Sequence, residues 1–491
     1  MTSGAARQRL VLIGVDGMDY DLTQSLLEYL PNLRRLRDAG AFGPFRSVFP
    51  PDSIPAWITA YTGLDPSEHG VLKSVDYFAK GHDRLKVDTS VLRGRTFWDI
   101  VGSNGFSVCV INPFMAYPVW DVNGVMVNGP VFISGEVQVS DPARVEGIRA
   151  PSSLGGIVAF PSKKTLARFR EKIFADTREQ AEFGRALFAR NRPDLFFQTF
   201  LTMDRIEHFL WRYSDPRDPT YPGPNPLEES IRDFYQMIDA EIGKFLALLE
   251  PDDLLLVLSD HGHGQRCTHC FNVNEYLRRR GDVVSRAEKN RLSPARVVEF
   301  CKNRVLDLMD RFDLQDYIKV VAKIVPHVRK LKTGKHLTDN ARNRAYASDF
   351  TGTNPFGGVC INKGLVTDYE EFRDSLMKDL EAVKFEGKPV FQWMKKREEM
   401  FAGEYLDRFP DILFEMRPEL GINWALHTDL FTRNPTHKAI SGGHRTMGVV
   451  FANRRSQFPR EPARIEDLFS VILSFFGIEE PEGKKRNQRE V

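Results

Sequence analysis

The stretch Leu10-Val-Leu-Ile-Gly-Val-Asp16, followed by Gly17-Met18-Asp19, predicts the architecture of the whole chain. Its apolar run is short, rich in branched side chains and bounded by a glycine, which is typical of a strand buried on both faces of a parallel sheet. The run ends on a carboxylate. Because ligands of open α/β sheets bind outside the carboxyl ends of the strands, we expect Asp16 to lie where chemistry takes place.

Two later stretches repeat this pattern of an apolar run that leads to an acidic residue. Residues 195–201 run into Asp204, and Leu254–Leu258 runs into Asp260-His261. Since parallel strands end at the same edge of a sheet, we expect these acidic side chains to meet. Strands that alternate with helical stretches predict an α/β fold.

Composition narrows the classes of protein that remain. The 491 residues are 42% hydrophobic and 27% charged, which is typical of globular proteins. A net charge of +2 indicates no particular partner, and we do not expect the chain to bind nucleic acid. No segment approaches the roughly 20 apolar residues of a membrane span, and residues 1–9 contain no secretory signal. Five scattered cysteines disfavour a disulfide framework, so we expect a cytoplasmic location. The oligomeric state is not predicted.

The predicted domain organisation is a discontinuous catalytic domain, residues 1–280 and 341–480, interrupted by a helical insertion at 281–340. Residues 286–344 carry fifteen Lys and Arg against seven Asp and Glu, with apolar residues at helical spacing. This basic insertion could be a lid that attracts a phosphorylated substrate, a surface for an anionic membrane or nucleic acid, or a solvated helical pair. Residues 481–491 are expected to form a frayed tail.

Two pairs of residues have the spacing of metal ligands. Asp204 and His208 lie four residues apart, which on a helix places both side chains on one face. Asp260 and His261 are adjacent, which permits a common ion only at a strand end or in a loop. Each pair alone is weak evidence for a metal, because an Asp and a His four residues apart are usually part of a solvated helix face.

Two further residues complete the candidate ligand set. Ser441-Gly-Gly-His444 is a loop whose glycines could let the imidazole of His444 reach the same place, and Asp16 follows the first strand. The six candidates supply three carboxylates and three imidazoles. This mixture suits zinc, manganese or iron better than calcium.

Ser53 is the candidate nucleophile. It lies in the proline-bounded turn of residues 50–55, between a strand and a helix, whose first N–H groups favour an anion. Two metal ions about 4 Å apart can hold the attacking and leaving oxygens of an in-line displacement at phosphorus, and that reaction needs a nucleophile. The alternative is that Ser53 caps the helix.

Together these motifs resemble the alkaline phosphatase superfamily, specifically its type I phosphodiesterase/nucleotide pyrophosphatase branch and the group of predicted phosphohydrolases and phosphomutases. The matching stretches are Gly14-Val-Asp-Gly-Met-Asp19, Pro50-Pro-Asp-Ser-Ile-Pro-Ala-Trp57 through Thr62-Gly63 to His69-Gly70, Asp204-Arg-Ile-Glu-His-Phe-Leu-Trp-Arg-Tyr213, Ser259-Asp-His-Gly262, Asn272-Val-Asn-Glu-Tyr-Leu277 and Ser441-Gly-Gly-His-Arg445. The resemblance implies an α/β/α sandwich around a mostly parallel central sheet.

The resemblance also implies two divalent ions, with zinc as the first choice and manganese as the second. The residues implied for one ion are Asp204, His208 and His444. Those implied for the other are Asp16, Asp260 and His261, with Ser53 as a further ligand and as the covalent nucleophile.

The predicted activity is that of a metal-dependent phosphoric-ester hydrolase acting on a small phosphate ester or nucleotide-like substrate through a phospho-serine intermediate. A phosphotransferase or phosphomutase of the same superfamily, or a non-catalytic binding factor that retains the fold, are the alternatives. The stretch Ser53-Ile-Pro-Ala-Trp57 lacks the arginine of sulfatases, which disfavours sulfate esters. Ser74 stands where nucleotide pyrophosphatases carry an asparagine, which leaves diester, monoester and pyrophosphate substrates open.

Some residues near these motifs are secondary candidates. Trp57, Arg212 and Arg445 are predicted to contact the substrate. A small additional metal site is conceivable at Cys267-Thr-His-Cys270 with His263 just upstream, although a structural zinc site needs four ligands. The histidine at position 69 is expected to brace its loop rather than to bind a metal.

Overall fold

The computed structural model describes most of the chain. The described residues are 8–73, 89–131, 135–154, 160–285, 305, 308, 312–314, 340–348, 352–454 and 463–481. Ser74, almost all of the predicted insertion 281–340 and the tail from residue 482 lie outside the described residues, so the predictions for them stay predictions.

The described chain forms two compact units. The first contains residues 8–217, 221–264 and 444–481, and the second contains residues 218–220 and 265–443. All the candidate metal ligands belong to the first unit. The second unit is larger than the predicted insertion, since it begins at residue 265 rather than 281 and continues to residue 443 rather than 340.

A sheet of nine strands, counted over the described residues, forms the centre of the first unit. Across the sheet the strands are Ala463–Arg464, Ala41–Arg46, Met447–Ala452, Leu254–Leu258, Leu10–Val15, Leu195–Phe200, Val108–Ile111, Gly124–Asn128 and Gln138–Val139. Only Met447–Ala452 and Gln138–Val139 run antiparallel to their neighbours. The sheet is therefore mostly parallel, as predicted.

The three strands identified from the sequence lie side by side in this sheet. Leu10–Val15 is the middle one and pairs in parallel with Leu195–Phe200 and Leu254–Leu258. Its side chains alternate between two cores, with Leu10 and Leu12 in one and Val11 and Ile13 in the other. The prediction of a strand buried on both faces is confirmed.

Helices cover both faces of the sheet. The helices that contribute to the Leu10 and Leu12 core are Ser53–Thr62, Phe97–Ser103 and Asp467–Phe475. Those that contribute to the opposite core are Pro31–Ala39, Leu166–Asn191, Thr202–Ser214 and Ser230–Leu246. The described residues of the unit also form two short helices, Tyr20–Leu26 and Pro66–His69. This is the predicted alkaline-phosphatase-like α/β/α sandwich.

The second unit is built mainly from antiparallel strands. A four-stranded sheet contains, in order, Ala345–Ala347, Phe356–Ile361, Ile412–Met416 and Phe391–Lys396. A three-stranded sheet contains Leu420–Asn423, His269–Asn272 and Phe431–Arg433, and a hairpin joins Lys384–Phe385 to Lys388–Pro389. The helices are Val273–Arg280, Tyr369–Glu381 and Arg397–Met400. Two further strands, Gly262–Gln265 and Gly442–Arg445, pair with each other.

Buried carboxylates satisfy backbone and guanidinium donors in both units. The Asp239 carboxylate accepts hydrogen bonds from the backbone N–H groups of Asn32 (3.2 Å) and Leu33 (2.7 Å) at the start of the helix Pro31–Ala39. In the second unit the Glu275 carboxylate accepts from Arg278 at 2.8 Å and from Arg279 at 2.9 Å. Burial raises the pKa of Glu275, but these donors outweigh it and hold the pKa below the ordinary value of 4.5.

The strand that precedes the Ser53 turn is Ala41–Arg46. It pairs antiparallel with Met447–Ala452 along its whole length. Ser47 to Phe49 already belong to the connection that leads to Ser53.

Over the described residues, no helix combines the length and the apolar character that crossing a bilayer requires.

Candidate metal centre

The centre lies at the carboxyl ends of the three middle strands. Asp16 follows one strand, Asp260 follows the second, and Asp204 lies in the helix Thr202–Ser214 that follows the third. The backbone N–H of Asp204 donates to the Asp16 carbonyl at 3.0 Å, which ties two of these strand ends together. Gly17, at φ +84°, turns the chain so that its N–H donates to Asp260 Oδ1 at 3.2 Å.

Asp204, His208 and His444 form a first donor cluster. The helix places His208 Nε2 3.1 Å from Asp204 Oδ1, as the spacing of four residues predicts. His444 Nε2 lies 3.3 Å from the same oxygen and 3.1 Å from His208 Nε2. Their side chains are between 15% and 24% exposed, so this cluster is open to solvent.

Asp16, Asp260 and His261 form a second donor cluster, and all three are buried. His261 Nε2 lies 3.7 Å from Asp16 Oδ1 and 3.5 Å from Asp260 Oδ2. The structure thus divides the six predicted ligands into two groups of three.

Hydrogen bonds to backbone carbonyls orient two of the imidazoles. His444 Nδ1 lies 2.9 Å from the Pro51 carbonyl oxygen, and His261 Nδ1 lies 3.0 Å from that of Gly262. A carbonyl oxygen only accepts, so each Nδ1 carries the proton and donates. Each Nε2 therefore presents a lone pair to its cluster, the arrangement usual for histidines that bind metals.

Ser53 is the first residue of the helix Ser53–Thr62, and its side chain faces the second cluster. Its Oγ lies 3.0 Å from His261 Nε2 and donates to Asp16 Oδ1 at 3.3 Å. The helix is capped by Asp52, whose carboxylate accepts from the Ile54 N–H at 3.1 Å. The alternative that Ser53 is the capping residue is therefore wrong.

Burial and mutual repulsion perturb the carboxylates. Burial, and next the nearby Asp260 and Asp204 carboxylates, raise the pKa of Asp16 well above its ordinary value, and burial raises the pKa of Asp260. Burial also raises the pKa of Asp204, but the imidazoles of His208 and His444 outweigh it and hold the pKa well below the ordinary range. Bringing these acidic groups together favours a cation between them.

The donors fit divalent ions. Asp204 Oδ1 and Asp260 Oδ2 are buried oxygens without a hydrogen-bond partner in the described part of the chain, a condition that costs about 1 to 3 kcal/mol if nothing else satisfies them. The separations of 3.1 to 3.3 Å in the first cluster match the edge, about 3.3 Å, of a tetrahedron with zinc bonds of about 2.0 to 2.1 Å. Mixed carboxylate and imidazole donors suit zinc or manganese.

The predicted substrate contacts have different surroundings. Trp57 is fully buried, and its Nε1 donates to Asp16 Oδ2 at 3.1 Å. Trp57 thus orients the Asp16 carboxylate, and a substrate contact by this residue stays a prediction. Arg212 is buried with its guanidinium 5.2 Å from the centroid of the Tyr213 ring, and Arg445 donates to the His444 carbonyl at 3.0 Å. A substrate contact stays a prediction for these two.

His263 also belongs to the first cluster, although it was not predicted from the sequence to be there. One donor atom from each of four residues lies within 4.8 Å of the other three, and these residues are Asp204, His208, His263 and His444. The signal was present in the sequence, because histidines two residues apart on extended backbone face the same side. The Cys267 and Cys270 side chains are in neither of the two donor groups found among the described residues.

A buried polar network lies behind the first cluster. Tyr235 Oη donates to Glu207 Oε1 at 3.1 Å and accepts from the Asp19 N–H at 3.2 Å. The Asp19 carboxylate in turn accepts from the His263 N–H at 3.2 Å. Burial raises the pKa of Glu207 well above its ordinary value. These contacts fix the backbone of the strand that carries His263.

Both the fold and the sequence match known proteins. Two crystal structures of phosphonoacetate hydrolase from Sinorhizobium meliloti 1021 are similar to this chain, one in complex with phosphonoformate (TM-score 0.53) and one with phosphonoacetate (TM-score 0.52). Each is 15% identical, and each alignment covers 96% of both chains, so the likeness concerns the fold. The family model for type I phosphodiesterase / nucleotide pyrophosphatase matches residues 10–420, well over half of the sequence. The chain therefore belongs to the type I phosphodiesterase/nucleotide pyrophosphatase family and is a phosphoric-ester hydrolase.

Proposed function

We propose that the enzyme uses two divalent ions, zinc in the first place and manganese in the second, and that Ser53 forms a phospho-serine intermediate. One observation carries this proposal. The helix is capped by Asp52 and not by Ser53. The Ser53 hydroxyl oxygen lies 3.0 Å from His261 Nε2 and 3.3 Å from Asp16 Oδ1. A serine in these surroundings has a chemical rather than a structural use.

The residues present would hold both ions. Those of the first ion are Asp204, His208 and His444, and those of the second are Asp16, Asp260, His261 and Ser53. Divalent ions bound there would lower the pKa of a coordinated hydroxyl and neutralise the negative charge that develops on phosphoryl oxygens.

The chain itself positions the nucleophile and the phosphoryl group. Ser53 begins a helix, so the N–H groups of the first turn supply partial positive charge beside its Oγ. As the bond from Oγ to phosphorus forms, the Ser53 hydroxyl loses its proton to solvent, and the bond from phosphorus to the leaving oxygen breaks. Water then attacks the phospho-serine phosphorus, releases the phosphoryl product and restores the hydroxyl.

The substrate class is a small phosphate ester or a nucleotide-like molecule. The family name supports diesters and pyrophosphates, and the solvent exposure of the first cluster supports entry from that side. A phosphotransferase would form the same phospho-serine but pass the phosphoryl group to an alcohol. A non-catalytic role is disfavoured because both donor clusters and the serine are present.

The test combines activity with detection of the intermediate. Protein loaded with Zn²⁺ or Mn²⁺ would be given chromogenic phosphate mono- and diesters and a nucleotide pyrophosphate, then quenched in acid and mapped by peptide mass spectrometry. We expect phosphate on Ser53 in the wild type, and no turnover but retained metal in Ser53→Ala. Ser47→Ala is the matched control, since Ser47 is a buried serine of the preceding connection outside both clusters.

Two results would contradict the proposal. One is full turnover by Ser53→Ala, and the other is an active wild type that contains no transition metal on elemental analysis. Transfer to an added alcohol in preference to water would favour the phosphotransferase alternative.

A further inference from the structure

We propose that His263 is a fourth protein ligand of the ion bound by Asp204, His208 and His444. The inference rests on the proposed function, because it assumes that an ion occupies this cluster. It changes the chemistry of the cluster from three protein donors to four.

The His263 ring has no hydrogen-bond partner in the part of the chain that the structure describes. The residue is 1% exposed, so water does not replace the missing partners of Nδ1 and Nε2 freely. An unsatisfied buried polar group costs about 1 to 3 kcal/mol, so such an imidazole needs an explanation.

His69 shows what a structural histidine looks like in the same unit. It is also buried, but its Nδ1 accepts from the Val71 N–H at 3.1 Å and its Nε2 pairs with the Thr59 hydroxyl at 3.2 Å. Both ring nitrogens of His69 are thus satisfied by the protein, as predicted for a residue that braces its loop. His263 differs from it in this respect.

His263 also lies at the distance from Asp204 that a shared ion requires. His263 Nδ1 lies 3.5 Å from Asp204 Oδ1, close to the 3.1 and 3.3 Å that separate the same oxygen from the nitrogens of His208 and His444. These values are near the edge of about 3.3 Å expected for a tetrahedral zinc site. The value of 3.5 Å is long for a hydrogen bond but suitable for two donors that share an ion.

Hydrogen bonds of the backbone hold His263 in this place. Its N–H donates to Asp19 Oδ2 at 3.2 Å, and Asp19 also caps the helix Tyr20–Leu26 by accepting from the Leu22 N–H at 2.9 Å. Glu207 Oε2 lies 3.6 Å from His263 Nδ1, too far for a strong hydrogen bond. The ring is therefore held near the cluster without a competing partner of good geometry.

A fourth protein ligand has a chemical consequence. Zinc sites with four protein ligands are usually structural, whereas catalytic sites keep a position open for water or substrate. We expect the ion at this cluster to be bound more tightly than the ion at Asp16, Asp260 and His261.

The test is a metal titration that does not depend on activity. Apo-protein would be titrated with Zn²⁺ against a chromogenic chelator, and the visible absorption of the Co²⁺ form would report the coordination of the ions. His263→Phe removes the donor but keeps a ring, and His69→Phe is the matched control for losing a buried histidine. We expect His263→Phe to weaken one ion at least about 100-fold and to change the Co²⁺ spectrum, while His69→Phe lowers the melting temperature and leaves both affinities unchanged.

Wild-type affinity for both ions in folded His263→Phe would overturn the inference while leaving the proposed function intact. If the wild type bound no ion, the proposed function itself would fail, so the two failures are distinguishable. If His263→Phe did not fold, His263→Asn would take its place, and the same affinities would decide the outcome.

Discussion

Replacing Trp57 by phenylalanine should weaken metal binding without removing any ligand. The indole N–H of Trp57 donates to Asp16 Oδ2 at 3.1 Å from a fully buried position. Phenylalanine keeps most of the ring but leaves that carboxylate oxygen without its donor. Asp16 would then be less firmly oriented towards the second cluster and more costly to keep charged.

Trp98→Phe is the control that separates the loss of the hydrogen bond from the loss of packing. It is also fully buried and packs in the same aromatic group, with its ring centroid 4.9 Å from that of Tyr61 compared with 5.8 Å for Trp57. Its Nε1 has no hydrogen-bond partner among the residues that the structure describes. Trp98→Phe therefore loses the same atoms from the same core, and the packing terms approximately cancel. A hydrogen bond to a charged group contributes about 1.5 to 3 kcal/mol, which corresponds to roughly 10- to 100-fold in affinity.

The assay is the competition titration with Zn²⁺ applied to both variants, together with urea unfolding of the apo-proteins. Trp57→Phe should bind one ion about 10- to 100-fold more weakly than Trp98→Phe, which should bind both ions as the wild type does. Indistinguishable affinities in the two variants would refute the assigned role of the Trp57 hydrogen bond.

Three other substitutions test separate features. Asp52→Ala should lower the free energy of unfolding by about 1 kcal/mol in urea titrations, whereas Ser53→Ala should leave it nearly unchanged, because Asp52 is the cap; the reverse order would contradict this. Asp239→Ala should cost about 3 kcal/mol in the same assay and leave metal content unchanged, because several buried donors lose their acceptor; a loss under 1 kcal/mol would count against it. Glu275→Gln should destabilise the protein at pH 7. Because the pKa of Glu275 is lowered in the folded protein, its carboxylate gives stability that is present above the ordinary value of 4.5 and lost in acid. The difference in unfolding free energy between Glu275→Gln and the wild type should therefore shrink as the pH falls through the depressed pKa. Urea midpoints at pH 7 and in mild acid check this, and a pH-independent difference would refute it.

Much of the fold could be predicted because local patterns determine it. The strand Leu10–Val15 and its two neighbours were recognisable as continuous apolar runs, since strands covered on both faces have no polar side to show. The extent of Ala41–Arg46 was not predictable in the same way. Its length is determined by antiparallel pairing with Met447–Ala452, a partner about 400 residues away in the sequence.

The candidate site also contains residues that local spacing predicts and residues that only the fold brings together. Asp204 and His208 were predictable as a pair because helical spacing alone brings their side chains together. Ser53 and Trp57 also share a helix face, but only the depth of that helix against the sheet determines that Trp57 is buried. His263 was missed because the neighbouring cysteines offered another explanation for it, and only the fold reveals that its ring lies beside Asp204.

The turn at Gly17 leaves little room for a side chain between the two donor clusters. A Cβ at this position would lie 3.1 Å from the Cα of Asp204 in the first cluster, while the Gly17 N–H already donates to Asp260 Oδ1 of the second. A residue with a side chain would also be strained at the φ of +84° that Gly17 adopts. Gly17→Ala would therefore disturb Asp204 and Asp260 together while every donor remained. Any ions held there would be bound more weakly, although no ligand had been removed.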